Sequence, residues 1–470
     1  MLFLKLDPQS DISLTRQLFL QIRSRILSGE LVAGFRLPAS RELAGDCHIS
    51  RNTVLTAYEL LMAEGFIESK PGSGTFVTPG ARLELPAAAA QPPATNPLPK
   101  SLQSSPASLV DFRSGVPALD RLPRTRWAQL LREAWLEAPD GCFGYQAPEG
   151  LSQLREVLCD YLKRTRGIVC APEQILITSG SVQGLSLAAG VLLPKFPEII
   201  LEDPSNRDIG RIFGAPSAVI HPVPVDELGI ISESLPRLSR SGLLVVTPSH
   251  QFPLGGILPV NRRIALIGFA RDTSSLIVED DYDSEFRYDG PPVSALQGLD
   301  PERVIYLGTF SKILFPALRL GYMVLPRNWV EPFRKLKKIA DYHSNSLNQM
   351  ALARFIREGS LDRHLVRVKK IYRKRRDLLV KSLQQQFPGR VRSFGMSTGL
   401  HLISEFAGIE FTPHLVRKLR DAGVGVHPVE DCAVVTGRHR GQLVMGYGHL
   451  SEEQIAAGIR RLAQVLMKTC

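Results

Sequence analysis

The residues with the clearest chemical potential follow an apolar run near the middle of the chain. The run VIYLG at 304–308 passes into the segment TFSK, which contains Ser311 and Lys312, and Arg319 follows seven residues later. A lysine amine forms a Schiff base with an aldehyde, while hydroxyl and guanidinium groups bind a phosphate. A lysine at a strand end beside such groups predicts an aldehyde cofactor that carries a phosphate.

A carboxylate and a phenol follow a second apolar run, LIVE at 276–279. Asp280 and Tyr282 are separated by one residue, so in extended backbone both side chains point to the same side. A carboxylate keeps a pyridine nitrogen protonated, and a phenol donates to a ring oxygen. Together with Lys312 and Arg319, these residues predict pyridoxal 5'-phosphate as the cofactor.

A third run, ILIT at 175–178, leads into Ser179, Gly180 and Ser181. A turn of small residues that opens a helix presents backbone N–H groups and the positive end of the helix dipole to a phosphate. The turn is a weak signal by itself, because many strand-to-helix turns are similar to it. We predict that it forms part of the phosphate site.

These runs belong to a longer pattern in which short apolar segments alternate with polar, helix-like stretches. Two further members are EIILE at 198–202 and LLVVT at 243–247. Such alternation predicts an α/β fold with a mainly parallel sheet covered by helices. Ligands bind at the carboxyl ends of the strands in folds of this type, which is where the chemical groups stand.

The first 80 residues have a different pattern. Ser13 and Ser50 are placed to cap two helices, and Ser40 opens a short helix between them. Two short strand patterns then flank a Pro-Gly-Ser-Gly turn. Three helices followed by a hairpin predict a winged helix-turn-helix.

A winged helix-turn-helix reads DNA with the N-terminal side chains of its recognition helix. Arg51 and Thr53 lie near that end of the third helix, Arg41 lies at the start of the second, and Gly74 lies in the turn of the wing. Arg51 suits guanine, and Thr53 suits a phosphate or a thymine methyl. The pattern alone fits a protein-interaction module equally well, because residues 1–82 carry only 9 basic and 8 acidic residues.

A segment rich in Pro, Ala and Ser separates this part from the rest of the chain. Such a composition buries no core and predicts a linker. We therefore divide the chain into a winged helix-turn-helix domain at 1–80, a linker at 81–109 and a cofactor-binding domain at 110–470.

Both parts also resemble known families. The N-terminal part resembles the DNA-binding domain of GntR-type bacterial regulators, because S-R-x-L-A, S-R-x-T-V, A-Y-x-x-L and G-x-G-T-F-V occur in that order. Residues 110–470 resemble the fold-type I aminotransferases in stretches such as ITSGSVQG, VEDDYDSEFRY and GTFSKILFPALRLGYM. The whole chain resembles the MocR/GabR subfamily, which joins these two domains.

The resemblance implies a role for each matching residue. Lys312 would form the Schiff base with pyridoxal 5'-phosphate, Asp280 would pair with the pyridine nitrogen, and Tyr282 would bind the ring hydroxyl. Tyr145 would reach the phosphate from a partner subunit, which implies a homodimer. The remaining implied residues hold the phosphate (Ser179, Gly180, Ser181, Ser311, Arg319) or contact DNA (Arg41, Arg51, Thr53, Gly74).

Two positions depart from the family pattern. Asn206 stands where the family often has an aromatic side chain that stacks on the cofactor ring. Val444 stands where many aminotransferases have an arginine that binds a substrate carboxylate. The candidates for that arginine are then Arg438, Arg440 and Arg207.

The resulting interpretation is a transcriptional regulator that binds operator DNA and senses an amine, an amino acid or pyridoxal 5'-phosphate. Two alternatives stay open. The chain has the acid-base groups of an active aminotransferase. Asn206 also allows a site that has lost its cofactor.

Composition limits the class of protein further. The 470 residues carry a net charge of +11, and residues 331–376 hold 14 basic against four acidic residues. This segment is a solvated helix face or, as a hypothesis, an extra phosphate-binding surface in which Arg373, Lys374, Arg375 and Arg376 contact DNA.

Six scattered cysteines without a C-x-x-C pair argue against disulfides and a zinc site, and no signal peptide or membrane span is predicted. We expect a cytoplasmic protein without a metal.

Overall fold

The computed structural model describes residues 4–81 and 109–467. These residues form two compact units, one within Met1–Gln103 and one within Ser104–Cys470. The predicted linker at 81–109 lies almost wholly outside the described residues, so the boundaries at 80 and 110 stay predictions.

The smaller unit has the predicted order of elements. Its helices are α1 (Leu14–Leu27), α2 (Ser40–Asp46) and α3 (Arg51–Ala63), and the antiparallel strands β1 (Ile67–Lys70) and β2 (Gly74–Val77) follow them. This order confirms the winged helix-turn-helix.

Local hydrogen bonds explain where these helices begin. Ser13 Oγ accepts from the backbone N–H of Arg16, and Ser50 Oγ accepts from that of Thr53 at 3.1 Å. The Tyr58 hydroxyl donates to the carbonyl oxygen of Pro38 at 2.9 Å and so ties α3 to the residues before α2. The capping residues predicted from the sequence therefore set the geometry of the turn.

The larger unit is built on an eight-stranded, mostly parallel sheet. The order across the sheet is β4-β11-β10-β9-β8-β5-β6-β7, and only β11 and β7 run antiparallel to their neighbours. The strands are β4 (Ile175–Thr178), β5 (Glu198–Asp203), β6 (Val219–Asp226), β7 (Gly229–Ile230), β8 (Gly242–Val246), β9 (Leu276–Asp281), β10 (Val304–Thr309) and β11 (Gly321–Val324). Each of the five runs identified in the sequence is a strand of this sheet.

Smaller sheets and a set of helices complete this unit. A four-stranded antiparallel sheet has the order β12-β13-β16-β15, and β3 pairs with β14. These strands are β3 (Val110–Asp111), β12 (Val391–Phe394), β13 (His401–Phe406), β14 (Val424–Gly425), β15 (His427–Pro428) and β16 (Gln442–Gly446). The helices are α4 (Arg124–Glu137), α5 (Ser152–Arg166), α6 (Ser181–Leu192), α7 (Arg207–Phe213), α8 (Val260–Asp272), α9 (Val330–Asp341), α10 (Ser346–Arg357), α11 (Ser360–Gln386), α12 (Pro413–Asp421) and α13 (Glu452–Leu466).

The central strands are buried along their whole length. Every residue of β5, β8, β9 and β10 is buried, because helices cover both faces of a parallel sheet. Polar side chains after these strands are therefore held on a rigid support. No helix within residues 4–81 and 109–467 is long and apolar enough to cross a membrane.

Part of the basic segment at 331–376 makes contacts inside the larger unit. Lys337 is fully buried against Asp341, and Arg375 is 4% exposed and donates to the carbonyl oxygen of Gly448. Arg373 likewise donates to the carbonyl oxygen of Tyr288. The hypothesis that all four residues at 373–376 contact DNA is therefore wrong for Arg375, whose charge is enclosed by the fold.

Candidate functional site

A cavity of about 340 Å³ lies where β9 and β10 end. Lys312, Asp280, Tyr282 and Ser181 all contribute to its lining. Asp280 lies in β9 opposite Leu307 of the parallel strand β10, and Lys312 follows the end of β10. The register of two adjacent strands thus brings a carboxylate and a lysine from separate segments to one place.

The Lys312 amine is held in a setting that favours its neutral form. Its Nζ donates to the carbonyl oxygen of Gly115 at 2.8 Å. Burial lowers the pKa of Lys312, and Arg319 lowers it further, while Asp283 and Asp280 oppose the shift. Gly115 has a φ of +72°, and a Cβ there would lie 2.8 Å from Nζ, so the close approach requires glycine. A neutral amine is the nucleophilic form of lysine.

Asp280 presents a buried carboxylate oxygen without a partner. Its Oδ1 is buried and makes no hydrogen bond within the described structure. Burial, and then the neighbouring Asp281, raise the pKa of Asp280 to about 7. A buried, unpaired carboxylate oxygen costs free energy unless a ligand satisfies it, which fits a protonated ring nitrogen.

The Tyr282 hydroxyl is oriented by a buried histidine and a carboxylate. Nδ1 of His250 lies 2.8 Å from Oδ1 of Asp283 and 3.0 Å from the Tyr282 hydroxyl. Because the carboxylate accepts, Nδ1 carries the proton, and the hydroxyl proton of Tyr282 stays available for another acceptor. Burial raises the pKa of the Tyr282 phenol well above its ordinary range, which keeps it a donor.

The phosphate-binding groups predicted from the sequence meet at the N-terminus of α6. Gly180 is the residue before this helix, and a Cβ on it would lie 3.1 Å from the guanidinium of Arg319. Arg319 also donates to the carbonyl oxygen of Ser179. A guanidinium beside a helix N-terminus combines two features that bind phosphate.

Two predicted hydroxyl groups have partners inside the protein. Ser179 Oγ donates to Oδ2 of Asp341 at 3.2 Å, and Ser311 Oγ accepts from Oγ1 of Thr309 at 3.2 Å. Neither residue lines the cavity itself. Both are adjacent in sequence to residues of the site, because Ser311 precedes Lys312 in the cavity lining and Ser179 precedes Gly180 at the N-terminus of α6.

Tyr145 lies away from the cavity within one chain. Its side chain is 84% exposed, and its ring lies 5.1 Å from that of Tyr342. No contact within residues 4–81 and 109–467 directs it toward Lys312. This placement agrees with a residue that acts on another subunit, which a single chain does not test.

Three of the four residues predicted to contact DNA lie at the N-terminal ends of α2 and α3, and Gly74 lies in the wing. Arg41 and Arg51 are exposed, and Nε of Arg51 donates to Ser40 Oγ at 3.3 Å, so the two helix ends are adjacent. Oγ1 of Thr53 lies 2.8 Å from Ser50 Oγ. Gly74 has a φ of +117°, which suits glycine at the start of β2.

An arginine that the sequence reasoning missed lies beside the wing. A Cβ on Gly74 would lie 2.9 Å from Nε of Arg36, and Arg36 forms an isolated bridge with Phe76. Arg36 lies far from the hairpin in sequence and in no recognised motif. Its place beside the wing adds a cation to the surface around Gly74.

Comparisons with known proteins support the same two-domain organisation. The model for bacterial regulatory proteins of the gntR family matches residues 14–77, and the model for aminotransferase class I and II matches residues 107–462. The pyridoxine biosynthesis transcriptional regulator PdxR of Corynebacterium glutamicum is 33% identical over 453 residues, which are 96% of this chain and 95% of that protein. The chain belongs to the MocR-like transcriptional regulators.

Other relatives of this MocR-like regulator support the same conclusion. The probable rhizopine catabolism regulatory protein MocR of Rhizobium meliloti is 32% identical, covering 99% of this chain and 96% of that protein. Among solved structures, the α-aminoadipate aminotransferase LysN of Thermus thermophilus, complexed with N-(5'-phosphopyridoxyl)-L-leucine, is 28% identical with a TM-score of 0.70. The match covers 77% of this chain and 93% of LysN. The larger unit therefore has the fold-type I aminotransferase fold.

Of the two positions that depart from the family pattern, Asn206 lines the cavity of the MocR-like regulator and Val444 does not. Asn206 lines the cavity, and its Oδ1 accepts from the N–H of Asp208 at 3.0 Å, so it caps α7. Val444 is buried in β16 opposite Ile403. The asparagine thus has a structural role in place of ring stacking.

The three candidate arginines for a carboxylate lie outside the residues that line this cavity. Arg207 pairs with Asp431 at 3.5 Å, and Arg440 pairs with Glu410 at 3.5 Å. Arg438 and Arg440 line a separate surface groove. Arg207 stands between the lining residues Asn206 and Asp208, so a role for these arginines in binding a carboxylate stays a prediction.

The lining also includes residues that sequence reasoning did not identify, among them four from separate segments of the chain. Glu202 accepts from the N–H and hydroxyl of Thr247, and burial raises the pKa of Glu202 to about 7. The others are Phe252, His401 and Gly115. They come from separate loops and strands, and only the fold relates them to the lysine.

Proposed function

We propose that this regulator holds pyridoxal 5'-phosphate at Lys312 and changes its binding to operator DNA when an effector reaches that cofactor. The effector is an amine, an amino acid or pyridoxal 5'-phosphate itself. The observation that carries the proposal is the convergence of Lys312, the unpartnered Oδ1 of Asp280 and the Tyr282 hydroxyl on one cavity. Each group complements one part of the cofactor.

Each residue has a defined part in holding this cofactor. Asp280 keeps a proton on the ring nitrogen, and Tyr282 donates its hydroxyl proton to the ring oxygen. Arg319 and the N-terminus of α6, with Gly180 and Ser181, neutralise the phosphate, and Ser179 and Ser311 support this cradle. When bound, the cofactor supplies an aldehyde carbon that reacts with amines and a ring that withdraws electrons.

Lys312 supplies the amine that the effector must replace. Burial lowers the pKa of Lys312, which favours the neutral, nucleophilic form of the amine that would bind the aldehyde. An effector alters transcription only if it binds one conformation of the protein better than another. Release of Lys312 on effector binding provides such a difference.

We propose that the protein acts as a homodimer in which Tyr145 completes the phosphate site of the other subunit. Two exposed ring pairs support this, Trp135 with Phe143 at 5.4 Å and Tyr145 with Tyr342. Ile339 on α9, three residues before Tyr342 in sequence, is 81% exposed. Exposed aromatic and aliphatic side chains of this number are typical of a surface that a second copy covers.

The change Ile339→Asp is expected to convert the dimer into a monomer, because it places a charge on the surface that the partner covers. Sedimentation velocity measures the change. Leu228→Asp, at another exposed apolar position, is the control and keeps the wild-type size. A wild-type sedimentation coefficient for Ile339→Asp would contradict this interface.

GntR-type regulators bind operator DNA, and we propose that Arg41, Arg51, Thr53 and Gly74 make the contacts here. Arg51→Ala is expected to weaken binding to DNA from upstream of the protein's own gene by about 1–3 kcal/mol, as for an arginine that reads a base. Fluorescence anisotropy with and without cofactor and candidate amines measures both the affinity and its regulation. Arg16→Ala, an exposed arginine on α1, is the control and leaves the affinity unchanged.

Two results would overturn parts of this proposal. Equal affinity of wild type and Arg51→Ala for the upstream DNA would remove Arg51 from the interface. Repeated turnover of an amino donor and a 2-oxo acid, with no effect of either on DNA binding, would favour the alternative of an active aminotransferase.

A further inference from the structure

His401 is a buried polar side chain that lines the cavity without a role in holding the cofactor. It begins β13 and is 1% exposed. Its Nε2 lies 2.9 Å from the carbonyl oxygen of Pro253. Because a carbonyl oxygen only accepts, Nε2 must carry the ring proton. Nδ1 is therefore left with a lone pair, and it is buried without a hydrogen-bond partner.

The surroundings keep this nitrogen an acceptor. Burial, and then the neighbouring His250, lower the pKa of His401 to about 3, so the ring stays neutral near pH 7. The rings of His250 and Phe252 lie 4.7 and 5.4 Å from the His401 ring and fix its position. A buried acceptor without a partner costs about 1–3 kcal/mol, and a donor on a ligand would recover that cost.

The charged groups around the cavity favour the same kind of ligand. Glu202, Asp208 and Asp280 line it, and Lys312 is the single cationic side chain among the described lining residues. Of the two arginines near Asp208 in sequence, Arg211 pairs with Asp208 at 3.3 Å and Arg207 pairs with Asp431 at 3.5 Å. With Asp280 paired to the ring nitrogen and Lys312 engaged by the cofactor, a carboxylate on a ligand would meet the carboxyl groups of Glu202 and Asp208.

We propose that the effector is a primary amine with a second hydrogen-bond donor, an ammonium or hydroxyl group, which Nδ1 of His401 accepts. The same cavity disfavours amines that carry a carboxylate. This inference rests on the proposed function, and it narrows the effector class from amines and amino acids to donor-bearing amines. It also assigns His401 as the residue that selects them.

The test is a titration of the full-length, cofactor-loaded protein with four amines of equal chain length. These are pentylamine, 1,5-diaminopentane, 5-aminopentan-1-ol and 5-aminopentanoate, and the readout is the change in absorption of the bound cofactor. We expect the diamine or the amino alcohol to bind about tenfold more tightly than pentylamine, as one recovered hydrogen bond provides. We expect 5-aminopentanoate to bind more weakly than pentylamine. The relative affinities of the diamine and the amino alcohol show whether the second donor is an ammonium or a hydroxyl group.

His401→Phe keeps a ring of similar size and removes the acceptor. The ratio of diamine or amino alcohol affinity to pentylamine affinity is expected to fall to about one in this variant. Tighter binding of 5-aminopentanoate than of pentylamine by the wild type would overturn the inference, and so would an unchanged ratio in the variant. The wild-type titration decides the question even where the variant does not fold.

The outcomes also separate this inference from the function on which it rests. A cofactor band that responds to none of the four amines contradicts amine sensing as a whole. A protein that gives no cofactor band contradicts the proposed function itself. A band that responds with the opposite order of affinities contradicts the role of His401 alone.

Discussion

Lys312→Ala is expected to abolish the covalent attachment of pyridoxal 5'-phosphate and the absorption band that accompanies it, at about 420 nm. The reason is that Lys312 supplies the amine that lines the cavity. Its Nζ donates to the carbonyl oxygen of Gly115, and burial lowers its pKa. Absorption spectra of purified protein before and after dialysis against excess cofactor measure the effect. The intact cradle at Arg319 and α6 would retain at most a weakly bound, dialysable cofactor.

The control for this experiment is a lysine that has no place in the cavity. Lys335→Ala, on the exposed side of α9, is expected to keep the wild-type band. DNA binding without an effector should be retained in Lys312→Ala, while its response to amines is lost. A dialysis-resistant band of wild-type strength in Lys312→Ala would contradict the assignment of this lysine.

The sequence carries most of the information about Lys312, Asp280 and Tyr282 because all three lie at or just after the carboxyl ends of buried strands. The carboxyl ends of neighbouring parallel strands lie at one edge of a sheet, so the order of apolar runs was enough to predict that these groups meet. The same reasoning identified the turn before α6. The comparisons then confirmed the family that the motifs indicate.

Other residues of the cavity were not predictable in this way. His401 and Gly115 come from segments whose place beside Lys312 depends on how the four-stranded antiparallel sheet and the β3–β14 pair pack in the larger unit. Charge patterns were also insufficient, because a run of basic residues does not reveal that Lys337 and Arg375 are buried. Asn206 was recognised as unusual, but its role as the cap of α7 required the structure.

A substitution at Asp280 can show whether its carboxylate serves cofactor binding or the stability of the fold. Its ordinary pKa is 3.8, and in the folded protein the pKa is raised to about 7. The protonated form is thus favoured by folding, and the stability it contributes is complete below about pH 4 and is lost as the pH rises through about 7. At pH 8 the cofactor-free protein therefore holds a buried carboxylate at a cost in stability.

Asp280→Asn is therefore expected to stabilise the cofactor-free protein at pH 8 and to have little effect at pH 5. A gain of about 1–3 kcal/mol follows from removing a charge that burial disfavours, and thermal unfolding followed by circular dichroism at both pH values measures it. Because Glu202 and Glu285 also have pKa values raised to about 7, the comparison uses the difference between variant and wild type at each pH.

The neighbouring Asp281 provides the matched control. Its Oδ2 lies 2.7 Å from the buried guanidinium of Arg166, so Asp281→Asn leaves that cation unpaired and is expected to destabilise the protein by about 3–5 kcal/mol. Loaded with cofactor, the order for Asp280 should reverse, because the wild type gains binding energy that Asp280→Asn lacks. Destabilisation by Asp280→Asn at pH 8 without cofactor would show that its carboxylate serves the fold. The opposite result is a variant that is more stable than the wild type without cofactor and less stable with it. That result would show that the Asp280 carboxylate serves the binding of the ring nitrogen and not the fold.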